Sequence, residues 1–146
     1  MREGVAENEE VFNFLATCLN VSRALADVKA GRVHPRREHL DMSFVDAYAE
    51  QVLALKRELG AYQKGVGIFT AVNARQALEL PQNVLDEPLL MMYVGRNKGL
   101  IKLRNTDQNY VMADGNHRMA RAYFDYRVKP MEVLIFSYSQ TRKYMI

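Results

Sequence analysis

Asp114-Gly115-Asn116-His117-Arg118 belongs to the most informative short stretch of this chain. The apolar run Tyr110-Val111-Met112-Ala113 before it reads as a strand, and the residues from about Asn116 to Phe124 read as a helix. A helix starting there aims its first backbone N–H groups, and the positive end of its dipole, at whatever lies in front of it. Gly115 permits close approach to the backbone. Arg118 offers a planar fork of donors suited to a phosphate, and His117 adds one or two more. The chemistry of such a group is anion binding. The same residues also suit a plain turn, because Asp is a common N-cap, Gly a common turn residue, and a first-turn Arg is often solvated. The residue types leave both readings open.

Other candidates are weaker. Arg96, Lys98, Lys102 and Arg104 form a basic run that can track a phosphate backbone, with Tyr93 and Tyr110 near it for stacking. A solvated hairpin explains the same run equally well. His34 and His39 flank Glu38, but five-residue spacing suits no single helical face, so no structural metal is expected. Cys18 is the one cysteine, which excludes an internal disulfide and a Cys-rich zinc site. It reads as a small core residue.

The elements that must position these groups belong to a chain of 146 residues, a size that fits one domain over 1–146. With 49% hydrophobic and 25% charged residues it can bury a core. A net charge of +3 permits a polyanionic partner without demanding one. No run of about 18 apolar residues is present, so no membrane partner is expected. Acidic Glu7, Glu9 and Glu10 stand where a signal peptide needs an apolar run, which points to the cytoplasm.

Spacing at Val11, Leu15, Cys18, Leu25 and Val28 predicts a helix over Glu9 to Ala30, interrupted near Asn20-Val21-Ser22 with Ser22 as a new N-cap and Gly31 as the stop. Residues 1–31 thus read as a helical extension. Arg32–Arg37 is extended around Pro35. A second helix, opened by Ser43 and Asp46, runs through Val45, Tyr48, Val52, Leu55 and Leu59 to Gly60. A short strand within Gly65–Val72 and a short helix within Asn73–Leu80 follow. The segment 89–137 is β-rich, with strands over Leu89–Val94, Leu100–Leu103, Tyr110–Ala113 and Met131–Ser137 around the signature helix. The pattern defines an α+β, or mixed α/β, domain with a short mixed sheet packed against helices.

Placed between a strand and a helix, Asp114-Gly115-Asn116-His117-Arg118 resembles the DGxHR signature of the ParB/sulfiredoxin superfamily. His34-Pro35-Arg36-Arg37-Glu38 and the helix after it are similar to the "NPRR" box of ParB amino-terminal domains, and the order of elements agrees. The matched segments cover roughly half of the chain; residues before Arg32 and the Val66–Pro88 stretch match nothing. The resemblance implies that Gly115, Asn116, His117 and Arg118 hold the phosphates of ATP or another nucleoside phosphate, accompanied by Mg2+. It implies that Arg36 and Arg37 face the same pocket, that Asp114 orients a water, a hydroxyl or a metal ion, and that Glu38 is a general base. His117 joins Asp114 and Glu38 as a catalytic candidate.

Departures narrow the choice. Asn116 stands where sulfiredoxin carries its catalytic cysteine, which argues against sulfinic-acid reduction. Asn-His-Arg replaces the Glu-Arg-Arg loop of chromosome-partition ParB proteins, and no helix-turn-helix reader follows. The DGxHR form is closer to the free-serine kinase and to stand-alone ParB-like proteins of plasmids and phages, including fertility-inhibition factors. Three functions follow as expectations: a nucleotide phosphohydrolase or phosphotransferase, a ParB-like DNase with non-specific DNA binding, or a non-catalytic effector whose first helix docks on a protein partner. The first expects Arg118→Lys to weaken nucleotide binding with little loss of ligand-free stability.

Overall fold

In the computed structural model, residues 9–14, 17–51, 65–66, 71–72, 74–95, 98–99, 101–102, 108–125 and 129–146 are described. The first of these overturn the expected helix over Glu9–Ala30. Strands β1 (Val11–Phe14) and β2 (Thr17–Asn20) pair antiparallel, with Val11 opposite Asn20 and Phe14 opposite Thr17. Phe12, Phe14 and Thr17 prefer a pleated surface to a helical one, and here that preference overrides the helical three-to-four spacing of the apolar residues. Helix α1 (Val21–Lys29) begins only after them.

Its cap is Asn20, whose side chain accepts from the Arg23 N–H at 3.0 Å, whereas Ser22 Oγ accepts from the Glu10 N–H. The helix ends as the sequence requires. Gly31, at φ +74°, donates to the Val28 carbonyl and Arg32 donates to that of Asp27, the paired bonds of a Schellman turn.

Strand β3 (Arg36–Leu40) leads into helix α2 (Met42–Gln51). Asp41, rather than Ser43, opens this helix by accepting from the Phe44 N–H at 2.9 Å and from the Ser43 hydroxyl. These bonds hold its carboxyl below the ordinary carboxylate range. The expected continuation through Val52, Leu55, Leu59 and Gly60 lies outside the described residues. Strands β4 (Gly65–Val66) and β5 (Ala71–Val72) pair antiparallel; helix α3 (Ala74–Leu78) and a 3-10 helix (Gln82–Asp86) follow.

The remaining elements are β6 (Leu89–Tyr93), β7 (Ile101–Lys102), β8 (Gln108–Asp114), α4 (Asn116–Phe124), β9 (Met131–Phe136) and α5 (Tyr138–Arg142). Arg96, Arg104 and the outer residues of the expected Leu100–Leu103 strand are not among the described residues. The largest sheet has the order β3-β9-β6-β8-β7, with β8 antiparallel to both β6 and β7. This is a small α+β fold.

By internal contacts the chain divides into two compact units, residues 1–37, 90–114 and 134–146, and residues 38–89 and 115–133. The first has its own apolar core, in which Leu19, Val21, Ala24, Leu90, Met92, Val111 and Phe136 are buried and Leu25 and Val28 of α1 pack against them. The apolar stripe of α1 is therefore spent on this core, which removes the expected long docking helix. In the second unit α4 is central and lies against α2, α3 and the 3-10 helix, with Met119, Ala120, Ala122 and Tyr123 buried.

Candidate functional site

The sequence-predicted signature is realised as a strand end, a left-handed glycine and a helix start. Asp114 closes β8 opposite Leu90, and Gly115 follows at φ +105° as the N-cap of α4, with no side-chain cap bond. The first N–H groups of any helix have no acceptor within it, so the start of α4 gathers donors and the positive end of a dipole. Capping by a glycine leaves that end without an anionic side chain on the cap itself.

The glycine has a second reason to be there. A Cβ at position 115 would lie 2.3 Å from Leu89 Cδ2 and 3.3 Å from Arg118 Nη2. Packing of Leu89 and Arg118 therefore occupies the side from which the sequence led us to expect a ligand to reach Gly115.

Arg118 is 9% exposed, and its Nη1 donates to the carbonyl oxygens of Glu87 and Pro88, each at 3.0 Å. The Glu87 carboxylate lies 3.9 Å from the same nitrogen but is largely exposed, so that ion pair is a minor contribution. One turn along, Arg121 Nη1 donates to the carbonyls of Leu78 and Leu80 while its Nε bonds Asp125 at 2.6 Å. Two arginines three residues apart on one helix face thus hold both ends of the segment 78–88 to α4. That segment is the end of the stretch for which the sequence offered no counterpart.

Asn116 Oδ1 accepts from the Tyr48 hydroxyl at 2.8 Å, and Tyr123 donates to Glu50 at 3.1 Å. Both bonds tie α4 to α2. Burial pushes the Tyr48 hydroxyl well above its ordinary pKa, so it remains a donor throughout the physiological range. His117 is half-buried, and loss of solvent lowers its pKa below the usual imidazole value. A neutral imidazole at pH 7 has one lone pair to accept a proton.

Arg36, Arg37 and Glu38 lie on β3, the first two exposed and Glu38 half-buried. In the sheet order β9 and β6 stand between β3 and β8, so strand pairing does not bring the first basic box beside Asp114. His34 is exposed, and its carbonyl accepts from Gln140.

Tyr48 and Leu89 complete the signature's surroundings and were missed as site residues. Tyr48 reads from its spacing as a core position, and only its hydroxyl gives a reason to expect a polar partner. No protein-family model, curated protein or solved structure matches this chain.

Proposed function

We propose that the chain is a ParB/sulfiredoxin-like nucleotide-binding phosphohydrolase or phosphotransferase whose phosphate site is the start of α4. The observation that carries this reading is the glycine-capped helix start directly after a strand, a junction that suits anion binding by the Asp-Gly-x-His-Arg residues. Backbone N–H groups of Asn116, His117 and Arg118 receive the phosphate. Neutral His117 accepts a proton from the attacking hydroxyl or water, oriented by Asp114, as that oxygen bonds the terminal phosphorus and the bond to the remaining nucleoside phosphate breaks, its electron pair leaving with that phosphate.

Arg118 acts differently from the sequence-based expectation. Its guanidinium fixes residues 87–88 and the first turn of α4, so it is a positioning residue. Among the described residues no group of three His, Cys, Asp or Glu side chains is arranged to hold a metal. Magnesium bound chiefly through substrate phosphates needs only one or two protein carboxylates, and Asp114, which closes β8 directly before Gly115, would be one. The chemistry such an ion would supply is neutralisation of charge on the transferring phosphoryl group.

A melting-temperature screen with nucleoside di- and triphosphates, with and without magnesium, tests the reading. A nucleotide at about 100 times its dissociation constant stabilises the fold by ~2.7 kcal/mol. If no nucleotide at millimolar concentration shifts the transition, the proposal fails.

A further inference from the structure

The positive charge of this protein is unevenly placed. Residues 93–104 and 137–146 carry six Lys or Arg and no Asp or Glu, while the rest of the chain carries fourteen against seventeen. The structure brings described parts of these two stretches together around three tyrosines. The Tyr93 ring meets Tyr110 at 5.5 Å and Tyr138 at 5.7 Å between centroids, both edge to face. Tyr138 is 52% exposed, and the Arg142 guanidinium stands over its ring at 5.7 Å.

The turn after β6 adds a second cation. A Cβ on Gly99 would lie 2.3 Å from the Tyr110 backbone nitrogen, so this turn sits directly on β8. Lys98, exposed, lays its side-chain stem against Gly95, two residues beyond Tyr93. Exposed Lys143 follows Arg142.

From this juxtaposition we propose a second site, independent of α4: a sequence-tolerant surface for single-stranded nucleic acid. A base stacks on the exposed Tyr138 ring, held in orientation by Tyr93 and Tyr110, while Arg142, Lys143 and Lys98 meet the flanking phosphates. Single strands fit better than duplex, because only an unpaired base presents its face to a ring. An exposed aromatic ring flanked by Arg142 and by stretches that carry no Asp or Glu of their own is complementary to bases and phosphates together, and the Asp27 carboxylate that acts on Lys143 is engaged by Tyr144 and Arg32. Ring stacking and phosphate contacts read no base edge, so sequence preference is weak.

The test is fluorescence anisotropy of the full chain with labelled oligonucleotides of about ten residues. Four probes are used: oligo-dT, oligo-rU, a duplex of the same length, and an abasic strand. The proposal expects dT or rU, or both, to bind more tightly than duplex and abasic strand, with affinity falling from about 50 to about 200 mM salt. The dT and rU arms tell DNA from RNA. Tyr138→Ala should weaken binding roughly five- to a hundredfold, and Tyr138→Phe should restore it, with melting temperatures unchanged. Arg142→Gln should reduce the salt slope by about 0.7, one phosphate's share on a single strand. Equal binding of the abasic strand or the duplex, or no binding at low salt, overturns the proposal. So does an unaltered affinity in Tyr138→Ala. Nucleotide-induced stabilisation should be the same in Tyr138→Ala as in wild type, which separates failure here from failure of the α4 site.

Discussion

Gly115 and Arg118 are where single residues matter most. At φ +105°, with Leu89 filling the space where a side chain would go, residue 115 tolerates nothing but glycine. Gly115→Ala should lower unfolding free energy by about 1–3 kcal/mol, read from urea midpoints. A neutral result would mean the junction relaxes freely and is no rigid platform for an anion. Arg118→Lys keeps the charge, but its shorter side chain does not carry the ammonium to the place from which Nη1 serves both carbonyls, and the site is too buried for water to substitute. The ligand-free protein should lose about 1–3 kcal/mol, in contrast to the small loss that the exposed phosphate contact predicts. His117→Ala, at a half-buried position, should instead keep both its melting temperature and its nucleotide-dependent stabilisation, because the backbone N–H groups remain, and lose phosphate release. The signature residues themselves were legible because they are consecutive. Their partners were not, since Tyr48 stands 68 residues from Asn116 and Glu87 31 from Arg118, separations that no local pattern encodes.

Elements were legible where one periodicity dominates. Helix α4 has the bounds its spacing implies, and β6 and β9 stand out because the apolar runs Leu89–Tyr93 and 133–136 fit strands buried on both faces. The hairpin was misread because residues 11–20 satisfy a helical stripe while their aromatic and β-branched members favour pairing. Helix α5 escaped although Ser137 and Gln140 form a complete capping box, a four-residue signal with only one turn of helix behind it. The cap of α1 separates the two descriptions of the amino-terminal segment. If Asn20 caps the helix, Asn20→Ala should cost about 1 kcal/mol, and Ser22→Ala should stay within about 0.5 kcal/mol of wild type. Denaturation of both variants decides it, and the reverse order of costs would restore the long helix with Ser22 at its break.

Stability of the molecule against pH is governed in part by a pair that joins distant parts of the chain. The Tyr144 hydroxyl donates to Asp27 Oδ2 at 2.7 Å, linking the carboxy-terminal segment to α1 within one unit. This bond, followed by the bond from Arg32, holds the Asp27 carboxyl below its ordinary value near 3.8. Burial first, and then the same carboxylate, pushes the Tyr144 hydroxyl up to about 12. The two shifts act at opposite ends of the pH scale. A lowered carboxyl pKa means the unfolded chain binds the proton more readily, so its contribution is present above pH 3.8 and is lost as pH falls through the folded value. A raised phenol pKa means the folded chain keeps the proton longer, so its contribution is complete below pH 10 and disappears as pH rises toward 12. His117, also lowered, adds to the loss below about pH 6.5, but it does so equally in any variant that leaves α4 alone. Tyr144→Phe removes the hydroxyl and keeps the ring against Phe136. The stability difference between wild type and Tyr144→Phe should therefore be largest near neutrality, shrink below about pH 3.8 as Asp27 protonates, and shrink again above about pH 10 as Tyr144 ionises. Urea denaturation of both proteins across that range checks the shape. A difference that stays constant at every pH would mean the hydroxyl contributes through packing alone, and that the Asp27 bond is absent in solution.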